Sequence, residues 1–284
     1  MRKFTGLSIA IVLIISGCSA SSETQILITS TPTITIEVTQ PEPTSTSISV
    51  IKPTSTNTPI PTETPISVSS PLGEYSIDAL IDMISNPYIP PQNGSDDPHQ
   101  GVDFSVVDPE LMIALKGSPV NSILKGEVVS VIKDRFPYGN AVMVETSLAE
   151  IPQTWQNRLG GIEKPEPFGL STNLTCPKGW DSSRAATEDL SLFVLYAHMN
   201  DLSDVEEGQA VENGDSLGTV GDSGNALAPH LHVEMRYGYS GSLSGSMAHY
   251  DVTASQEEML HYCRWRVSGL FRLIDPMTLL FTKP

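Results

Sequence analysis

Positive charge is scarce in this chain. Its 284 residues hold 16 Lys and Arg against 33 Asp and Glu, a formal net charge of −17, and residues 1–70 account for only −1 of it. So acidic a surface is repelled by phosphate backbones and by anionic headgroups, which argues against nucleic acid and an anionic membrane surface as partners. Apolar runs are short: the stretch from Leu7 to Ile15 falls below the roughly 20 residues a spanning helix needs. Cysteine is rare, at positions 18, 176 and 263, and there are six histidines. Between residues 21 and 70 there is no Trp, Phe or Tyr, so that stretch has little with which to build a core.

What is present at the N-terminus sorts into two segments. Met1-Arg2-Lys3 followed by the apolar run suits the basic head and h-region of a signal peptide. Ile15-Ser16-Gly17-Cys18 resembles the lipobox of bacterial lipoproteins. That resemblance implies a signal peptide over 1–17, a lipid on Cys18 as the mature N-terminus, export, and anchoring to a bacterial membrane. Residues 21–70 contain 13 Thr, 10 Ser and 7 Pro. Such a composition buries too little apolar surface to offset its ordering entropy, so 18–71 is expected to be an extended, disordered linker. At random-coil dimensions it would hold its two ends about 40 Å apart on average.

The folded part is then expected over 72–284, as one domain. Apolar residues at 77, 80, 81 and 84 have helical spacing between Tyr75 and Ile84, and Asn86-Pro87 stops the pattern. Gly126 to Val131, Ala141 to Glu145 and Leu192 to Met199 read as strands, with turn residues at short intervals between the elements. Hairpin following hairpin predicts a mostly β, antiparallel domain. With Cys18 set aside, Cys176 and Cys263 leave one disulfide as the expectation for an oxidising compartment.

The histidines carry the chemistry. In Pro229-His230-Leu231-His232-Val233-Glu234-Met235, apolar and polar residues alternate as on a strand with one face in a core. Its two imidazoles point the same way, about 7 Å apart along the chain. His99-Gln100-Gly101-Val102-Asp103 would likewise put 99, 101 and 103 on one face of a strand, with Gly101 leaving room for a close approach. Imidazole nitrogen and carboxylate oxygen are both donors that zinc accepts. Glu234 shares the face of the two histidines and is placed either to orient a ligand or to serve as an ordinary strand carboxylate. His249 and His261 match no motif and read as surface or structural residues.

Four pieces stand in one order: His99-x-Gly101-x-Asp103, Tyr196-Ala197-His198, the loop Gly221-x-x-Gly224, and His230-x-His232. Together they resemble the M23 (LytM and lysostaphin-like) zinc metallopeptidases, over about residues 97–236 plus Asp275-Pro276. The resemblance implies a LytM-like antiparallel β-sheet of the duplicated-hybrid-motif type. It also implies Zn2+ held by His99, Asp103 and His232, with His198 and His230 as catalytic histidines, and peptide-bond hydrolysis in peptidoglycan as the activity. Some M23-like domains instead bind cell wall or activate another hydrolase without catalysis, and these usually lack one or more of the five residues. The chain departs from the compact family pattern at Ala228, where glycine is usual, and in two insertions, at about 146–191 and 237–274. Cys176 lies in the first and Cys263 in the second, and the insertions are expected to wall the substrate groove.

Overall fold

Strand β6 (Leu190–Leu202) is buried for most of its length, and the sheet grows outward from it on both sides. In this computed structural model the described residues are 66–171, 173–182 and 187–281. The expected signal peptide, Cys18 and the linker up to residue 65 lie outside them. In chain order the strands are β1 (Ile84–Asn86), β2 (Val102–Phe104), β3 (Pro119–Asn121), β4 (Gly126–Arg135), β5 (Gly139–Ser147), β6 (Leu190–Leu202), β7 (Ala210–Val211), β8 (Ser216–Val220), β9 (Leu231–Tyr239) and β10 (Phe271–Ile274). The helices are α1 (Gln153–Arg158), α2 (Gln256–Val267) and α3 (Pro276–Leu280). The sheet runs β1-β2-β9-β6-β5-β4-β7, with β10 also beside β9, β8 beside β6, and β3 beside β8. Every pairing is antiparallel.

Period-two alternation sends neighbouring side chains of each strand to opposite faces. From β6, Leu192, Val194 and Tyr196 join one core with Val102, Phe104, Val144, Val233 and Met235. Phe193, Leu195 and Ala197 join a second core with Met143, Trp265, Tyr262, Cys263 and Phe271. That second core is roofed by α2. The helix starts at a capping box, in which the Ser255 hydroxyl accepts from Glu258 N and the Glu258 carboxylate accepts from Ser255 N. Satisfying two otherwise orphaned donors fixes where the helix begins.

A strand with one solvated face is what the alternation in 229–235 predicts, yet β9 is buried at every position. The difference comes from the insertions, which cover the face bearing His232, Glu234 and Arg236. Cys176 and Cys263 are joined by a disulfide with a Cα–Cα distance of 5.9 Å, tying the first insertion to α2. The flanking strands extend into the expected insertions: β6 already begins at Leu190, β9 continues to Tyr239, and β10 starts at Phe271. The helical spacing over 75–84 becomes a 3-10 helix at Ile77–Met83 that runs directly into β1. His99 is not on a strand, because β2 begins only at Val102; it reaches the site from the preceding loop. Among the described residues no helix is long and apolar enough to cross a membrane.

Candidate metal centre

The register of the sheet assembles the site. Asp103 on β2 lies directly opposite His232 on β9, and Ala197 on β6 lies opposite His232 from the other side. His198 therefore follows one residue after that contact, at φ 62°. This left-handed conformation costs a non-glycine residue on the order of 1–3 kcal/mol and is found where surrounding structure imposes it. His230 precedes β9 and is fixed by its own N–H donating to Gly221 O at 3.0 Å, so the Gly221–Gly224 loop sets its position.

Three donor atoms form a small triangle. His99 Nε2 lies 3.0 Å from Asp103 Oδ1 and 3.1 Å from His232 Nδ1, and His232 Nδ1 lies 2.8 Å from Asp103 Oδ1. His99, Asp103 and His232 make a group able to hold a metal ion. The donor set fits such an ion: a cation capping the triangle at about 2.0–2.1 Å from each donor would meet two nitrogens and one oxygen at ordinary ligand distances. The close contact of the two imidazole nitrogens also fits shared coordination, since without an ion one of them must be protonated to bond the other.

Backbone carbonyls fix the tautomers. His99 Nδ1 donates to Pro87 O at 3.0 Å, His198 Nδ1 to Ser223 O at 2.8 Å, and His230 Nδ1 to Ala228 O at 2.8 Å. Each ring then carries its lone pair on Nε2. In His232 the roles are reversed: Nδ1 faces the triangle, and Nε2 faces Glu234 Oε2 at 3.5 Å, an ion-pair distance rather than a hydrogen bond. Asn86 on β1 donates to Asp103 Oδ2 at 3.2 Å, leaving Oδ1 for the triangle. His198 and His230 sit beside it, their ring centroids 4.8 Å apart, and His230 Nε2 is 3.6 Å from Asp103 Oδ2.

Charge follows burial and pairing. Burial works against ionising Asp103, but the hydrogen bond from His232 and the neighbouring His99 ring outweigh it and hold the carboxyl far below the usual range. Burial likewise opposes charge on His232, yet Asp103 and Glu234 raise it to about 9. His198 has no such compensation: burial, then the neighbouring His232 and His230, lowers it to about 3, so it is neutral at ordinary pH. Glu234 is fully buried, and against that cost Arg236 and Arg266 keep it ionised.

Glycine at 101 is required by packing. A Cβ there would stand 2.5 Å from Val233 O and 2.6 Å from His232 Cε1, so the close approach expected at Gly101 is that of the His232 ring. His249 and His261 are structural and buried rather than on the surface; they bond Thr175 O and Ser246 O at 2.9 and 3.0 Å. The residues that sequence reasoning passed over are Asn86, Tyr138, Arg236 and Arg266. Arg236 was within reach of the alternation, being two positions beyond Glu234 on the same strand face. For Tyr138 and Arg266 the sequence holds no signal, because only the folded chain brings them to Glu234.

Residues 185–244 match the model of Peptidase family M23. That segment holds His198, His230 and His232; His99 and Asp103 lie outside it. No curated protein matches the chain. Among solved structures, the catalytic domain of the antimicrobial peptidase lysostaphin from Staphylococcus simulans is similar at 18% identity, covering 73% of this chain and 98% of that one, with a TM-score of 0.37. The catalytic domain of the prophage-encoded M23 protein EnpA from Enterococcus faecalis is 17% identical, covering 61% and 92%, with a TM-score of 0.33. A zinc-containing peptidase from Vibrio cholerae is 20% identical, covering 54% and 32%, with a TM-score of 0.31. The chain carries an M23 peptidase-like domain, mostly antiparallel β, with a His–Asp–His group able to hold a metal ion.

Proposed function

We propose that this chain is an exported, lipid-anchored zinc endopeptidase that hydrolyses peptide bonds in peptidoglycan stem peptides or cross-bridges. The observation that carries the reading is the donor triangle of His99 Nε2, Asp103 Oδ1 and His232 Nδ1, with edges of 2.8–3.1 Å and two further histidines beside it. These three residues would hold zinc and leave a fourth position open, the arrangement of a catalytic rather than a structural site. When bound, the ion polarises a peptide carbonyl and lowers the pKa of water to about 7. The rest is done by the chain. His198, neutral and with its Nδ1 proton committed to Ser223 O, presents Nε2 as a proton acceptor. His230, committed in the same way to Ala228 O, presents a second Nε2 to the same space. Between them they accept the proton of an attacking water and return it to the departing amine. Asn86 holds Asp103 in place, and Glu234 faces the far side of His232.

The peptidoglycan substrate, the lipid at Cys18 and the extracytoplasmic location rest on the motif order and on the lipobox-like Ile15-Ser16-Gly17-Cys18. The full-length chain, loaded with zinc and incubated with intact sacculi of several wall types, is expected to release muropeptides detectable by mass spectrometry. His232→Ala and chelation should each abolish release, and added zinc should restore the chelated protein only. Stoichiometric zinc with no fragment from any wall type would replace this reading with a non-catalytic wall-binding or hydrolase-activating domain.

A further inference from the structure

Glu234 lies two residues beyond His232 on β9, and its two oxygens are held by different parts of the chain. Oε1 accepts from Arg236, at 2.7 Å from Nε and 2.5 Å from a terminal nitrogen. Arg236 stands on the same strand face and also bonds Gln100 and Phe271 O. Oε2 is the oxygen that faces His232 Nε2. It accepts from the Tyr138 hydroxyl at 3.1 Å and from Arg266 Nη1 at 2.9 Å. The other terminal nitrogen of Arg266 donates to Asp96 O at 2.7 Å, and the Asp96 carboxylate accepts from the Tyr250 hydroxyl.

Arg266 comes from a separate part of the chain. It belongs to α2 in the second insertion, three residues beyond Cys263, whose disulfide to Cys176 ties the helix to the first insertion. A planar guanidinium bonding a carboxylate with one arm and a backbone carbonyl with the other fixes both direction and distance, which an ammonium does not. Without Arg266, Glu234 Oε2 would keep one neutral donor, Tyr138, while Arg236 pulled on Oε1. The carboxylate would then be free to turn away from His232.

We propose that Arg266 is a positioning residue: it fixes Glu234 Oε2 opposite His232 Nε2, and so keeps His232 Nδ1 turned toward Asp103 and His99. The disulfide-tied insertions thereby form part of the support of the metal site. This rests on the reading of His99, Asp103 and His232 as a zinc site. Arg266 makes no contact with His99, Asp103 or His232 and acts on the triangle through Glu234.

The test uses the full-length chain with Arg266→Met and Arg266→Lys. Zinc affinity is measured by competition with a chromophoric chelator, cobalt substitution by the visible spectrum, and metal-free stability by urea unfolding. Outer partners of ligating histidines typically contribute 10–100-fold in metal affinity. Arg266→Met is expected to weaken zinc binding by about that factor and to alter the cobalt spectrum, with Arg266→Lys falling between it and the parent. Loss of stability in Arg266→Met with parental zinc affinity and an unchanged cobalt spectrum would make Arg266 merely structural and overturn the proposal. If Arg266→Met does not fold, Arg266→Lys decides: it keeps the charge and loses the fork, and parental affinity with a parental spectrum overturns the proposal. A parent chain that binds no zinc sinks the metal-site reading itself, whereas a zinc-binding parent with indifferent variants sinks only the role of Arg266.

Discussion

Replacing Gly101 by Ala gives a prediction whose sign separates two readings. Gly101 is not in the left-handed region, so alanine meets no backbone strain there. An ordinary Gly→Ala change at such a position stabilises a protein by about 0.4–1 kcal/mol, through the unfolded chain. Here the new Cβ would stand 2.5 Å from Val233 O, 2.6 Å from His232 Cε1 and 2.8 Å from His232 Nε2. Val233 belongs to the buried strand β9, paired on both sides by β2 and β6, so its carbonyl has nowhere to go. The ring has one escape, which is to leave Asp103 and His99. Overpacking of this kind costs about 1–3 kcal/mol, and the displaced ring takes a donor out of the triangle. Gly101→Ala is therefore expected to lower metal-free stability by about 1–3 kcal/mol in urea unfolding and to weaken zinc binding measured by chelator competition. A stabilised variant with parental zinc affinity would refute the packing argument, because it would mean that the ring does not occupy the space beside Gly101.

Three further outcomes follow from the same structure. The metal-free chain should be most stable near neutral pH, as read by urea unfolding from pH 3 to pH 10. His232, raised to about 9, contributes stability that is complete below about 6.5 and lost as pH rises through 9, on the order of 3 kcal/mol. His198, lowered to about 3, contributes stability that is complete above about 6.5 and lost as pH falls toward 3. Asp103 and Glu234, both depressed, add to the acid-side loss, and a profile without a maximum between the two flanks would contradict these assignments. Bound zinc should remove the alkaline-side loss, because coordination requires His232 without its Nδ1 proton. Breaking the disulfide with Cys176→Ala and Cys263→Ala frees a link between residues 87 positions apart, a loss of up to about 4.5 kcal/mol in the chain-entropy model. Equal unfolding midpoints for oxidised and reduced parent would show that the unfolded chain is not constrained by the bond.

Legibility in the sequence followed range of interaction. The apolar run at 192–197 and the alternation in 229–235 depend on near neighbours along the chain, and they point to β6 and β9. The same local reading misjudged the polar face of β9. His232, Glu234 and Arg236 look solvated in sequence, and what buries them is α2, some 20 to 35 residues away along the chain. His99 was misplaced onto a strand because H-x-G-x-D fits a strand period; the register of β2 against β9, which starts only at Val102, is set by pairing with a segment 130 residues distant. His249 and His261 match no motif, and the absence of a motif says nothing of burial.

A buried acid facing a candidate ligand explains why the polar face of β9 is worth covering. In water, Glu234 would share its charge with solvent and hold His232 weakly. Under α2 it is dry, and a dry carboxylate must be paired, because an unpaired one costs several kcal/mol. The strand supplies Arg236 for Oε1, and the loop before β5 supplies Tyr138 for Oε2. One guanidinium and one neutral hydroxyl would leave the oxygen nearest His232 the less firmly held of the two. Arg266 fills that place from the helix that excludes the water, so the same insertion both dries the carboxylate and pairs it. The strand that a sequence reading takes as two histidines on one open face is better described as a strand whose polar face is closed over. On that face His232 meets Asp103 and His99, and Glu234 behind it is held by Arg236 of the same strand, Tyr138 of the loop before β5 and Arg266 of the second insertion.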